Sequence, residues 1–595
     1  MADLEKQGFQ AATTPFDEHH EEIADVVTPI DNKHKQQRSI SKTFAPHEKP
    51  SYTAADGSDS RRHTPVRTFS RRTMQSEASN DDANYFGGTL SRTRTNMEID
   101  RVESRQQQRE SSMHDGSSHD EKEADDNTVV VNWEGEDDPE NPQNFGWWYK
   151  VYVTVFGAIL VLNSTFSSSA PNGVSQSQIA YFGFSQEVNT LTISLWVAGY
   201  CLGPLVWGPL SERLGRRPVF LISIFAYTCW DIGCALSKNT ASILVFRFLG
   251  GVFGAAPLTN SGGIIADVWD SKARGIAMSL FAVAPFAGPA LGPVVSGAIQ
   301  VTGTSWRWVY WTITIFSGIC WVICFFTLRE TYAPAILSKK AKRIRKETGD
   351  DFYKSPLDLT PLTPKNVLHD TVAFPFIMLV QEPILLAMGL YLSFVYGIIY
   401  LCFGAYPIIF EQVHGFNALI GGVMFLPLFM GGIAGVAFYI AFINPRYSKK
   451  VEIYAQEKKG RVPPEERLWV VCIAAPCLVI SFFWLGWTSF RSISFWSPML
   501  AGALLGFAVL LIFVGLFNYI VDAYLANAAS ALAGNTVMRS AFGAGFPLFT
   551  VQMFDKLTIK WTCTLLGGIA LILAPIPFAL LKYGPKIRAL SKHTA

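Results

Sequence analysis

The sequence predicts an all-α membrane protein with twelve transmembrane helices in two six-helix bundles, preceded by a disordered N-terminal tail. Three observations carry this. About half of the 595 residues are apolar (49%). After position 147 they gather into runs long enough for a ~30 Å bilayer core, which takes about 20 residues of helix. Lys and Arg cluster in alternate loops, and one long polar connection divides the runs six and six.

Residues 1–147 are rich in Ser, Asp, Glu, Arg and Gln, and 1–130 lack hydrophobic periodicity, so 1–147 reads as a solvated, disordered tail whose end, from Val129 to Asn144, is a turn-rich lead into the membrane. Ser41 and Ser70, each three residues after an arginine, are candidate phosphorylation sites. No apolar run precedes 148, so no cleavable signal peptide is expected. Spans are expected at 148–170, 189–208, 217–236, 241–264, 275–299 and 307–328, forming a first bundle over 148–328. A basic linker over 329–382 leads to spans at 383–407, 417–441, 467–487, 494–518, 528–552 and 560–582, a second bundle over 383–582. A short tail, 583–595, follows.

Arg213, Arg216 and Arg217 lie in the 2–3 loop, Lys272 and Arg274 in the 4–5 loop, and Lys339, Lys340, Lys342, Arg343, Arg345 and Lys346 in the linker. The 8–9 loop and the C-terminus are also basic, whereas the alternate loops are nearly free of Lys and Arg. This places both termini and the linker in the cytoplasm. The net charge of +2 gives no basis for nucleic-acid binding. The nine cysteines all lie in apolar runs without His or Asp company and read as small packing residues. There is no phosphate loop, nucleophile triad or metal cluster, so neither enzymatic activity nor a cofactor is expected.

Three stretches stand out against plain apolar helix. Gly208-Pro-Leu-Ser-Glu-Arg-Leu-Gly-Arg-Arg217 is a charged turn. Its glycines, Gly208 and Gly215, permit close approach, and Glu212 and Arg216 stand four apart, as do Arg213 and Arg217, a spacing at which helix side chains meet. Arg247 lies inside span 4, where a charge is costly and usually faces a cavity or a partner. In span 5, Ala284, Gly288, Gly292 and Ser296 form one small-residue face, with Pro285, Pro289 and Pro293 beside it; that helix is expected to pack tightly where the two halves meet. Among acids in apolar runs, Asp231 is the candidate proton carrier, since desolvation favours a neutral carboxyl group. Glu382 and Asp522 read as edge residues pairing with Arg539 or with basic loops. Arg539 itself is placed around the 10–11 turn. Candidates for lining a central cavity are Asn163, Trp196, Tyr200, Asn260, Tyr396, Tyr400 and Asn518, whose aromatics suit flat or cationic molecules.

The charged turn resembles the loop 2–3 signature of the major facilitator superfamily, Arg247 and its surroundings resemble the span 4 signature of proton-coupled members, and Gly288-Pro-Ala-Leu-Gly-Pro293 is similar to the antiporter signature of drug/proton exchangers. Local patterns from Trp306 to Trp311, at Arg329-Glu-Thr-Tyr-Ala-Pro334 and at Phe546-Pro-Leu-Phe549 resemble the fungal twelve-span drug/proton antiporter branch over roughly 138–590. The resemblance implies proton-driven efflux of xenobiotics, antifungal drugs or secondary-metabolite toxins across the plasma membrane. It implies alternating access, with the proton gradient as energy source and an amphipathic or cationic substrate. It also implies a monomer, with Glu212, where the family usually has Asp, as part of a latch between halves. Asn444-Pro-Arg-Tyr447, the counterpart of the charged turn in the second half, is degenerate. Polyamine export and proton-coupled nutrient symport remain as alternatives; the proline stripe argues against the latter.

Overall fold

The computed structural model describes residues 129–135, 137–359, 373–457, 462–589 and 591. The tail up to 128, with Ser41 and Ser70, lies outside the described residues. Among the described residues, ten continuous helical stretches are long and apolar enough to cross a bilayer. They become twelve crossings for two local reasons. Span 5 is two pieces, Ser271–Phe281 and Ala284–Val301, because Pro285 has no N–H to continue the ladder and the chain turns at Ala282 and Val283. Spans 11 and 12 run together as Ala528–Leu573, interrupted at Thr558, where a φ of +64° reverses the chain. Pro575–Arg588 completes span 12.

The remaining spans are Trp147–Ser169, Gln186–Leu214, Arg216–Leu236, Thr240–Val268 and Arg307–Thr327 in the first half. Pro383–Tyr406, the pair Ala418–Val423 and Leu426–Phe438, Trp469–Thr488 and Trp496–Tyr524 belong to the second. Short polar caps start several of them: Ser185 accepts from the Val188 N–H, Asn239 from Ser242, Asp270 from Ala273 and Asn417 from Ile420. The starts of spans 1, 3, 7 and 9 and the ends of spans 4, 6, 10 and 12 meet on one side, which we call the basic face after its loops.

The expectation of disorder up to 147 fails over its last stretch. Val129 and Val130 pair in parallel with Tyr353 and Lys354, so the pre-span segment docks on the linker. Asp138 organises that segment, its carboxylate accepting from the Glu134 and Glu140 N–H groups at 3.0 and 2.9 Å. The linker is also more structured than a polar connection. Ala333–Thr348 is a helix closed by Gly349, and its Lys340, 5% exposed, pairs with Asp138 at 3.3 Å and Glu134 at 2.9 Å. Phe374–Gln381 is a short apolar helix leading into span 7.

Candidate functional site

Contacts between the two bundles run from the face opposite the basic loops to the membrane middle. Spans 5 and 8 cross closely there. A Cβ on Gly422 would lie 2.6 Å from the Pro293 carbonyl carbon, and one on Gly297 would lie 2.8 Å from that of Ala418. Spans 2 and 11 join through Gln552 Nε2 to Glu187 Oε1 at 3.1 Å and through the Cys201 thiol to the Val537 carbonyl at 3.7 Å. Spans 1 and 7 meet where the Ser168 and Tyr400 hydroxyls lie 3.3 Å apart. Near the middle, Phe286 packs edge-on against Phe513 with centroids 5.6 Å apart.

Span 5 therefore presents two faces to two partners, which corrects the expectation that its small-residue face meets the other half. Gly288, Gly292 and Ser296 pack on span 1 of the same bundle, where the Ser169 hydroxyl donates to the Gly288 carbonyl at 3.2 Å and the Gly173 N–H to Ser296 Oγ at 3.2 Å. Ala284 is buried on that same face. The Pro293–Gly297 edge faces span 8, while Pro285 sits at the break and Pro289 is buried one turn further on.

Arg247 is fully buried. Its Nε donates to the Thr192 carbonyl at 2.8 Å, its Nη2 to the Ser168 carbonyl at 3.3 Å, and its guanidinium lies 4.2 Å from the centroid of the Trp196 ring. Asp231, also fully buried, sits near it with the Tyr227 and Ser167 hydroxyls around it. By strict geometry neither of its carboxylate oxygens has a hydrogen-bond partner. Asn163 accepts from the Tyr227 hydroxyl at 2.7 Å, and Tyr200 takes the Trp196 indole N–H at 2.9 Å while donating to the Ser164 carbonyl at 3.0 Å. Asn163, Trp196 and Tyr200 thus belong to the interior of the first bundle around Arg247 and Asp231, not to an open cavity wall.

At the basic face, Gly215 adopts φ +94°, a conformation that favours glycine, and ends span 2. The Glu330 carboxylate lies against it and accepts from the Arg216 and Arg217 N–H groups at 2.8 and 3.2 Å. The break at Gly215 removes the i,i+4 geometry between Glu212 and Arg216. Arg216 turns inward to Asp267 at 3.2 Å and Ser211 Oγ at 2.6 Å, under the Tyr332 ring. Glu212 is half-buried, Arg213 is exposed, and Gly208 has room beside Thr259. Asn260 bonds Ser211 Oγ at 2.7 Å and so supports Arg216.

The second half builds the same device from residues that no contiguous motif marks. Arg467 pairs with Asp522 at 2.9 Å and lies 3.5 Å from the centroid of the Tyr447 ring, as Arg216 lies under Tyr332. Asn518 donates to the Tyr439 hydroxyl at 3.4 Å, which also accepts from Arg467, so it supports this pair as Asn260 supports the first. The cavity assignments of Asn260 and Asn518 are corrected accordingly. Of the cavity candidates, Tyr396 and Tyr400 do lie where the bundles meet, their hydroxyls 3.4 Å apart.

Neither Glu382 nor Asp522 pairs with Arg539: Glu382 takes the Ser591 hydroxyl and lies 3.5 Å from that of Tyr524. Arg539 lies eleven residues inside the helix that starts at Ala528, about 17 Å along it at 1.5 Å per residue, not at the 10–11 turn. It faces the Tyr396, Phe517 and Phe513 rings at 5.0, 5.4 and 5.8 Å. A substrate cation expected at Tyr396 would meet a ring that a guanidinium already covers.

Two six-span bundles, joined by a basic linker and closed against each other at one face, define a membrane transporter built from repeats. The chain belongs to the Major Facilitator Superfamily, which it matches over residues 154–547. It is 41% identical over 461 residues to the "Major facilitator superfamily multidrug transporter mdrA" of Aspergillus fumigatus, covering 77% of this chain and 75% of that one. It is 39% identical over 461 residues to "Efflux pump FUB11" of Gibberella moniliformis, covering 77% of each. Among solved structures, a bacterial homologue of the lysosomal transporter Spinster has the same fold, with a TM-score of 0.50 and 14% identity over 75% of this chain and 99% of that one.

Proposed function

We propose that the protein exports amphipathic small molecules, among them xenobiotics, antifungal drugs or secondary-metabolite toxins, by proton-coupled antiport with alternating access. The observation that carries this reading is the closure of span 5 on span 8 by the Pro293–Gly297 edge, away from the basic loops. With those loops cytoplasmic, the closed face is the outer one, and the state is the one that loads substrate from inside. Both termini then lie in the cytoplasm, and the membrane is the plasma membrane. In the alternate state the charged turn, with Glu212, latches the cytoplasmic side. Asp231 carries the proton and Arg247 sets its release: the guanidinium already has backbone carbonyl partners, so it stays in place while Asp231 changes charge.

The test is efflux of fluconazole from a pump-deficient yeast expressing the full chain, with and without a proton uncoupler. We expect uncoupler-sensitive efflux, abolished by Arg247→Ala and by Asp231→Asn with surface expression intact. Normal proton-dependent export by either variant would remove that residue from the coupling. Export of spermidine in place of the drug would favour the polyamine alternative, which calls for cavity carboxylates.

A further inference from the structure

Among the described residues, Arg247 and Arg539 are the arginines at membrane depth, and their circumstances differ. Arg247 is fully buried and has backbone and hydroxyl oxygens for its donors. Arg539 is partly exposed, and its guanidinium makes no hydrogen bond or ion pair with any described residue. Its Nε is buried without a partner. The acids at the ends of the surrounding spans have partners of their own: Asp522 has Arg467, Glu382 has Tyr524 and Ser591, and Glu187 has Gln552. Asp231 belongs to the other bundle, near Arg247.

A guanidinium in this position has up to five N–H donors to satisfy. Aromatic faces supply part of the compensation but accept no hydrogen bond of full strength. The rings around Arg539 also place it beside the contact between the two bundles. Gly543 lies between the Tyr396 ring and Val197 of span 2, and Phe513 packs on Phe286 of span 5. Two of its three rings therefore sit at the contact between bundles, just below the closed face.

We propose that Arg539 is the anion anchor of the transport site, and that the substrates include aromatic carboxylates. The planar fork of the guanidinium matches a carboxylate with two parallel hydrogen bonds. The Tyr396, Phe513 and Phe517 rings, which the guanidinium faces, leave their edges to form an apolar surround for the attached aromatic system. Recognition then needs no acid in the cavity. Charge selectivity falls to the second bundle, while the proton pair lies in the first. This inference rests on the export reading and names its substrate class.

Three isosteric probes test it: 2-naphthoate, 2-naphthamide and 2-naphthylmethylammonium. Equilibrium binding is measured at pH 7 to the full chain in nanodiscs, and uptake is measured in inside-out vesicles with an acidic lumen, corrected for protein-free vesicles. We expect naphthoate to bind at least about tenfold more tightly than the amide, in keeping with a charge-assisted hydrogen-bond pair. Arg539→Gln should bring that ratio near one, and Arg539→Lys should retain part of it. A wild-type preference for the amide or the ammonium probe, or an undiminished acid preference in Arg539→Gln, overturns the proposal. Should both variants fail to fold, the wild-type preference decides alone. Acid-selective binding without vesicle uptake of any probe or of fluconazole would overturn the export reading and leave the anion site standing.

Discussion

Replacing Gly422 by alanine should open the closed face. The added Cβ would stand 2.6 Å from the carbonyl carbon of Pro293 and 2.9 Å from the Cα of Val294. Both are backbone atoms of a helix packed on its other side against span 1, so no side chain can swing away. Restoring ordinary contact requires spans 5 and 8 to separate by about 1 Å, and overpacking of this kind costs about 1–3 kcal/mol. The state in which the face is open does not pay that cost. The equilibrium should therefore move toward it by about 5- to 150-fold, at roughly tenfold per 1.4 kcal/mol. The assay is labelling of Ser168→Cys by a membrane-impermeant maleimide on whole cells, in a background without the other cysteines. Ser168 is fully buried and lies about one turn deeper than Gly173, which packs beside Gly297. Labelling should accelerate within that range, and efflux should fall. An unchanged labelling rate with full efflux would refute the view that this crossing holds the face shut.

Two further predictions concern the basic face. Hydrogen bonds from the Glu134 and Glu140 N–H groups, with Lys340 nearby, hold the Asp138 carboxyl below its ordinary value. Its contribution to docking is thus complete above the unfolded carboxylate value of about 3.9 and is lost as pH falls through the lower folded value; hydrogen exchange at Val129 and Val131 should be protected at pH 6, and Asp138→Asn should remove that protection at pH 6. The buried Arg467–Asp522 pair should show strong coupling: Asp522→Asn or Arg467→Met alone should each cost about 3 kcal/mol or more by leaving a charge unpaired, and the double variant clearly less than the sum, as read by thermal unfolding in detergent.

Much of the fold was legible because a bilayer demands a fixed apolar length, and that demand is written in composition. The break in span 5 was legible only in part: Pro285, Pro289 and Pro293 all lack the N–H, yet the helix breaks at the first and runs through the other two. Which face of a helix looks into the cavity was not. In span 1 the buried polar residues Asn163, Ser164, Thr165, Ser167, Ser168 and Ser169 go all round the helix, so they mark no single inward side, and Asn260 and Asn518 serve arginines far away in sequence. That Asp522 pairs with a basic loop was legible, but not that Arg467 is the partner, because the two lie 55 residues apart with no contiguous motif. Arg539 carries a readable signal of the kind Arg247 does, a charge eleven residues into a membrane helix.

The docking of Val129, Val130, Glu134 and Asp138 on the linker bears on how the chain can be shortened. A truncation at 147, drawn where apolar sequence begins, would remove both Asp138 and Glu134 and leave Lys340, 5% exposed, with an unmatched ammonium. It would also strip Tyr353 and Lys354 of their strand partners. A chain trimmed no further than residue 128 keeps the clasp whole. A fluorescent tag fused there would report from beside the linker that joins the two halves.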